Sequence, residues 1–78
     1  MKRIATYDVK EGNDYKKFYD YVDTIKGVKI TESTYKLNTS LSQEEFETKI
    51  KALFSKGDNV YYISVNAENK IFYKKIVI

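Results

Sequence analysis

The clearest candidate for chemistry in this 78-residue chain is an aspartate, because the sequence has neither cysteine nor histidine. That composition excludes disulfides, Cys/His zinc sites, Ser-His-Asp triads and a histidine general base. Asp8 comes near the end of an apolar segment, and in open α/β sheets ligands gather at the carboxyl ends of strands. A carboxylate there can bind Mg²⁺, which prefers oxygen ligands. Asp8 is therefore the candidate catalytic and metal-binding residue, although its spacing alone favours a simpler role in capping the next loop.

Two more acidic residues follow Asp8 closely in the sequence. Glu11 and Asp14 could join Asp8 in a metal site. Turn formation and stabilisation of a helix N-terminus explain both residues better, because acidic side chains are favourable at that end of a helix.

Hydroxyl and basic side chains are the remaining candidates for binding. The pairs Ser33-Thr34 and Thr39-Ser40 could contact phosphate, but strand and loop preferences explain them at least as well. Lys74 and Lys75 form, with Lys70, a basic end on the last predicted strand. Lysines on an edge strand commonly prevent aggregation, and this is the favoured interpretation.

The charge balance argues against a dedicated nucleic-acid binder. The chain carries 14 basic and 11 acidic residues, a net charge of +3, and Arg3 is its only arginine. Arginine is the usual residue for bidentate phosphate and guanine contacts, so only loose lysine–phosphate contact is compatible with the sequence. The N-terminus has no signal-peptide pattern, and no apolar run approaches the ~20 residues of a membrane helix. We therefore expect a cytoplasmic protein without a membrane partner.

The pattern of apolar residues predicts the element order β-α-β(β)-α-β-β. Lys2–Val9, Asn59–Asn66 and Ile71–Ile78 have the composition of strands, and Ala67–Lys70 has that of a turn. Val28–Leu37 is also strand material, and either one bent strand or two short paired strands fits it.

Both helices show an apolar stripe and an end signal. The stripe of the first helix consists of Tyr15, Phe18, Tyr19, Val22 and Ile25. Gly27 is predicted to end that helix as a left-handed cap. The second helix begins with a capping box formed by Ser42 and Glu45, and Gly57 is predicted to terminate it. Its apolar face consists of Phe46, Ile50, Leu53 and Phe54.

This order predicts an α+β domain spanning residues 1–78, a ferredoxin-like split βαβ sandwich with an added C-terminal strand and both helices on one sheet face. The other face would be open and rich in aromatic residues, which is too large an apolar surface for a stable monomer. A chain this short also has a limited core, which oligomerisation commonly compensates. We expect a homodimer to which residues 71–78 contribute.

The stretch Ala5–Val9 resembles the first strand of the small CRISPR-associated protein that partners the spacer integrase, a strand that typically ends in Tyr-Asp and an aliphatic residue. Glu32–Leu37 and Leu41–Phe46 resemble that family's later strand and acidic capped helix. Virulence-associated protein D shares the architecture. The resemblance implies a ferredoxin-like homodimer in which two copies of Asp8 share one Mg²⁺ for phosphodiester hydrolysis. The arginines that the family commonly has are replaced in Lys10–Asn13 and Val28–Thr31.

The sequence is compatible with three alternative functions. The first is a degenerate or scaffold member of the family with nucleic-acid or protein partners. The second is a Mg²⁺-dependent endoribonuclease or endodeoxyribonuclease. The third is a phage-type inhibitor or accessory protein that binds a partner protein. An RNA-binding sheet is less well supported, because no strand has the basic-Gly-aromatic signature. Besides Asp8, the candidate binding residues are Tyr7, Ser33, Tyr35, Lys74 and Lys75.

Overall fold

Five strands and two helices make up most of residues 2–78, which the computed structural model describes. In chain order they are β1 (Lys2–Asp8), α1 (Lys16–Thr24), β2 (Val28–Thr31), β3 (Thr34–Asn38), α2 (Gln43–Leu53), β4 (Asn59–Val65) and β5 (Ile71–Val77). The predicted order of elements is confirmed. Of the two alternatives for the segment after α1, the structure has two paired strands joined by a turn.

The strands form one antiparallel sheet in the order β2-β3-β1-β4-β5. This α+β arrangement is compatible with a ferredoxin-like fold. Side chains alternate between the two faces of each strand, and the buried ones lie on one face only. In β1, for example, Ala5 is buried whereas its neighbour Ile4 is 41% exposed. The two helices therefore cover one face of the sheet, and the other face carries no helix.

The core lies between the helices and the covered face. It is dominated by large side chains, and several aromatic rings pack at 5–6 Å in tilted or edge-to-face pairs. Its buried apolar members are Ala5, Phe18, Val22, Tyr35, Leu37, Phe46, Ile50, Phe54, Val60, Tyr62 and Ile76. Of the stripe predicted for α1, Phe18 and Val22 belong to this core, whereas Tyr15 and Tyr19 are exposed. Most of the stripe predicted for α2 belongs to the core, and these contacts fix both helices on the sheet.

The end of α1 differs from the prediction. Lys26, with φ of 56°, adopts the left-handed conformation that was assigned to Gly27. Gly27 is required for another reason: a Cβ atom there would lie 2.7 Å from Val22 Cγ1 and 2.9 Å from Leu37 Cδ2. The glycine therefore permits close packing of the chain against the core rather than a left-handed cap.

The start of α2 follows the predicted capping box, and its end does not follow the prediction. Ser42 Oγ accepts a hydrogen bond from the Glu45 N–H at 3.1 Å, and Glu45 Oε1 accepts one from the Ser42 N–H at 3.0 Å. The helix ends at Leu53, before Gly57, because Phe54 turns to an extended conformation and places its ring in the core. Gly57 lies in the following loop with φ of 99°.

Candidate functional site

The helix-free face of the sheet has an extended apolar surface. We define its apolar patch as the exposed large side chains of β1, β4 and β5 on that face: Ile4, Tyr61, Ile63, Ile71, Tyr73 and Val77. Their exposed fractions range from 39% to 84%. The strand register explains why they are contiguous, since Ile4 lies opposite Ile63 and Ile63 lies opposite Tyr73.

A shallow groove of about 650 Å³ crosses this patch, lined mainly by apolar atoms. Next to Tyr61 on the register, Lys75 places its Nζ 5.6 Å from the centre of the tyrosine ring. On the other side, Thr6 and Thr34 share a hydroxyl–hydroxyl hydrogen bond of 3.1 Å. The helix-free face therefore has an apolar half over β1, β4 and β5 and a polar half over β3.

Asp8 lies on this same face, exposed, at the end of β1 and opposite Asn59 of β4. The predicted position at a strand end is therefore confirmed. Within residues 2–78, no three acidic side chains come close enough together to hold a metal ion. Asp14 has the role that the alternative interpretation gave it, because its Oδ1 accepts a hydrogen bond from the Lys16 N–H at the start of α1. Within the five strands that the structure describes, Asp8 is the only carboxylate, and it lies on this face.

Three of the predicted binding residues meet on the opposite face. The Tyr7 N–H donates to the Ser33 carbonyl at 3.1 Å, and the Tyr7 hydroxyl donates to the Glu32 carbonyl at 2.8 Å. The Tyr7 and Tyr35 rings stack with their centres 6.2 Å apart. Burial raises the pKa of both tyrosine hydroxyls. These residues close one end of the core, beneath the helices and away from Asp8.

The two predicted lysines point to opposite faces of β5. Lys74 Nζ lies 2.8 Å from Glu47 Oε1 of α2, and the same oxygen accepts a 2.8 Å hydrogen bond from the Tyr62 hydroxyl. The bond from Lys74 is the main cause that lowers the pKa of Glu47. Burial and then Glu47 raise the pKa of Tyr62 to about 12. Lys74 is therefore bound to the protein's own helix, and of these two lysines Lys75 is the one that lies on the helix-free face.

Asp58 is an important residue that sequence reasoning did not select. It is fully buried and accepts three hydrogen bonds, from the Lys10 N–H at 2.8 Å, Asn13 Nδ2 at 2.9 Å and the Ser55 N–H at 2.9 Å. Burial alone would raise its pKa, but these bonds together outweigh burial and hold the pKa below its usual value. Asp58 joins the loop after β1 to the loop before β4, and it thereby fixes the end of the sheet where Asp8 lies.

Arg3 is the second residue whose role the sequence did not reveal. Its side chain is fully buried, Nη2 donates to the Leu41 carbonyl at 2.9 Å, and the guanidinium lies 4.6 Å from the centre of the Phe46 ring. Within residues 2–78, Nε and Nη1 have no hydrogen-bond partner, and neither has the facing Ser64 Oγ. Burial lowers the pKa of Arg3. Residues two apart in a strand lie on the same face, so the predicted burial of Ala5 could have placed Arg3 on the covered face.

Comparison with models of protein families, with curated proteins and with solved structures gives no match for this chain. Neither helix within residues 2–78 has the length and apolar composition needed to cross a membrane. The helix-free face and the residues that form it are therefore the features of the molecule that point to a function.

Proposed function

We propose that this protein is a small homodimeric scaffold of ferredoxin-like fold, akin to the CRISPR-associated and virulence-associated protein D group, that acts by binding rather than by catalysis. The observation that carries the proposal is the apolar patch on the helix-free face. Contiguous exposed apolar patches commonly mark sites of interaction with another protein. The occupant that we assign to the patch is the same patch of a second copy.

The size of the helix-free face supports this assignment. Five strands at a spacing of about 4.8 Å, up to seven residues long at about 3.4 Å per residue, cover roughly 500 Å². Two copies packed face to face would bury roughly 1,000 Å² in total, which is near the lower limit for a specific interface. A second copy also presents an apolar half to an apolar half, as a two-fold contact requires.

The apolar centre of this face favours a protein partner over nucleic acid, although the register also places Lys2, Lys36 and Lys75 on the face. Nucleic-acid affinity depends largely on contacts between basic side chains and phosphates. The single arginine is buried, and Lys74 is held by Glu47 on the covered face. The residues at the centre of the patch, such as Ile4 and Ile63, are apolar and offer nothing to a phosphate backbone.

Light scattering at micromolar concentration tests the proposal. We expect the wild type to exceed the 9.2 kDa mass of one chain, and Ile63→Glu to lose the face-to-face contact. The matched control is Ala52→Glu, which adds the same charge at an exposed position of α2 and should keep the wild-type mass. A wild type that remains monomeric, or an Ile63→Glu variant that keeps the wild-type mass, would contradict the proposal.

The position of Asp8 favours one second candidate, a Mg²⁺-dependent endonuclease. Asp8 is exposed on the face that we assign to the dimer contact, so a two-fold axis near the end of β1 would bring two copies of it together. The two carboxylates would hold the metal, which supplies an activated water when bound. Cleavage of RNA or DNA with Mg²⁺ or Mn²⁺, sensitive to EDTA and absent in Asp8→Asn, would support this candidate. No cleavage by the wild type would leave the scaffold alone.

A further inference from the structure

The two edges of the sheet differ in a way that bears on association. The β2 edge has only four residues, Val28–Thr31, and its register against β3 shifts between Lys29 and Thr31. Bulges and short edge strands hinder the addition of another strand. The β5 edge has seven residues that pair with β4 without any shift of register. Only the β5 edge therefore offers a long regular row of backbone groups.

The hydrogen bonds at the two ends of β5 show which of these groups are free. The Lys70 carbonyl accepts from the Asn66 N–H, and the Ile78 N–H donates to the Asp58 carbonyl, both at 3.1 Å. Backbone groups in an antiparallel strand point alternately to its two neighbours. Phe72, Lys74 and Ile76 therefore bond to β4, and the N–H and C=O groups of Ile71, Tyr73, Lys75 and Val77 point to the free edge.

We propose that the β5 strands of two copies pair antiparallel along this edge, about a two-fold axis at Tyr73, and join two sheets into one. The proposal deepens the self-association proposed above by adding a second contact with its own backbone hydrogen bonds. Phe72 and Tyr73 are 47% and 84% exposed on opposite faces of β5. Large exposed side chains on both faces allow cross-strand contacts with an added strand on either side of the sheet.

The register follows from the side chains of β5, because its edge lysines hinder pairing wherever two copies of a lysine would face each other and so restrict the register. Pairing about an axis perpendicular to the sheet places side chains of the same face opposite each other. An axis at Lys74 or at Lys75 would set that lysine against its own copy, which is unfavourable. An axis at Tyr73 sets the two tyrosines together, Phe72 against the partner's Lys74, and Ile71 against the partner's Lys75. This register forms about six backbone hydrogen bonds.

The two proposed contacts are compatible in one assembly. The axis of the edge contact is perpendicular to the sheet, whereas the axis of the face contact lies between two stacked sheets. A face axis that runs across the strands along the row of Ile4, Ile63 and Tyr73 meets the edge axis at Tyr73. Perpendicular two-fold axes that intersect generate a closed assembly of four copies, a common symmetry among soluble oligomers. We therefore expect face-paired dimers at low micromolar concentration and four-copy assemblies at higher concentration.

A proline at position 75 tests the edge contact. Lys75→Pro removes an N–H that points to the free edge and makes no bond to β4, so the strand should keep its own ladder. Lys75→Ala removes the same side chain and keeps the N–H, which makes it the matched control. By sedimentation at a few hundred micromolar, Lys75→Ala should reach the wild-type mass and Lys75→Pro should stop at half of it. Equal masses for folded Lys75→Pro and Lys75→Ala would overturn the edge contact.

The face contact is separated from the edge contact by Ile63→Glu. At high concentration this variant should remain a dimer through the β5 edge, and the double variant Ile63→Glu with Lys75→Pro should be a monomer. If Ile63→Glu alone keeps the wild-type mass, the proposal of a face contact is wrong. The edge contact is then tested independently by the comparison of Lys75→Pro with Lys75→Ala.

The register has its own test, because the chain contains no cysteine. Tyr73→Cys should form an intermolecular disulfide under mild oxidation. Val77→Cys, equally a surface position on the same face, should not, since two copies of residue 77 would lie far from the axis on opposite sides. Cross-linking at position 77 but not at 73 would overturn the register.

Discussion

The buried carboxylate of Asp58 allows a quantitative test of how the end of the sheet is held. Replacing Asp58 by alanine removes the acceptor of three hydrogen bonds, two of them from backbone N–H groups. A hydrogen bond to a charged group is worth about 1.5–3 kcal/mol. Lys10 and Asn13 belong to a surface loop that regains water when the carboxylate is gone. We therefore expect Asp58→Ala to lower the free energy of unfolding by about 3–5 kcal/mol rather than by the full total.

Asp58→Asn is the more informative variant, because it keeps the shape and removes the charge. If the amide nitrogen takes the place of Oδ2, its NH₂ group faces the Ser55 N–H and one hydrogen bond is lost. We therefore expect the free energy of unfolding to fall by about 2 kcal/mol near pH 7. The folded-state pKa of Asp58 lies below its usual value. The stability that the Asp58 carboxylate contributes is therefore complete at pH values above ~3.9, its pKa in the unfolded chain. This stability is lost as the pH falls through the pKa of Asp58 in the folded protein. The difference between wild type and Asp58→Asn should shrink toward zero in acid.

Urea unfolding followed by far-UV circular dichroism at pH 7 and pH 3 measures both effects. The protein concentration must be fixed, because association adds to the apparent stability. Asp20→Asn is the matched control: its carboxylate pairs with Lys16 at 3.0 Å on the exposed surface of α1, and such pairs contribute at most about 1 kcal/mol. Asp58 does not hold the end of the sheet as described if Asp58→Asn lowers the free energy of unfolding by no more than Asp20→Asn does, or by the same amount at both pH values.

Urea unfolding also checks predictions at the helices and the core. Ser42→Ala should cost about 1 kcal/mol through loss of the capping box, and Phe46→Ala, at a fully buried position, should cost about 3–5 kcal/mol. A larger loss for Ser42→Ala than for Phe46→Ala would contradict the placement of α2. Gly27→Ala should cost about 1–3 kcal/mol, because its Cβ would overlap Val22, and an unchanged stability would show that the core yields there. Arg3→Met should leave the stability unchanged or raise it by about 1–4 kcal/mol, because the buried guanidinium forms no ion pair within residues 2–78. A loss of more than about 2 kcal/mol would contradict this interpretation of Arg3.

Features that depend on neighbouring residues could be predicted from the sequence, as α2 illustrates. The capping box needs only Ser42 and Glu45, three residues apart, so its signal is complete within one helical turn. The end of α1 is different. Local preference assigns the left-handed position to Gly27, but close packing requires the glycine where the chain passes Leu37, and Lys26 takes the left-handed conformation instead.

Features that depend on distant parts of the chain could not be predicted. Asp58 is buried only because the loop containing Lys10 and Asn13 meets it from the far side of the sequence. Tyr7 was predicted to be a binding residue, but consecutive residues of a strand point to opposite faces, and the structure packs Tyr7 beneath the helices, on the face opposite to Asp8. The position of Asp8 at the end of β1 was predicted correctly, because hydrophobic pattern alone identifies the strand that carries it.

The bulge in β2 has a consequence for how far the sheet can extend. A chain with two long regular edges could add strands without limit, and stacks of such strands are the basis of cross-β fibres. Here the register shift between Lys29 and Thr31 leaves one edge unsuited to further pairing. Once the β5 strands of two copies have paired, the free edge of each copy is its bulged β2 strand. The sheet therefore stops extending after one addition. Removing the bulge would convert a finite assembly into a polymer.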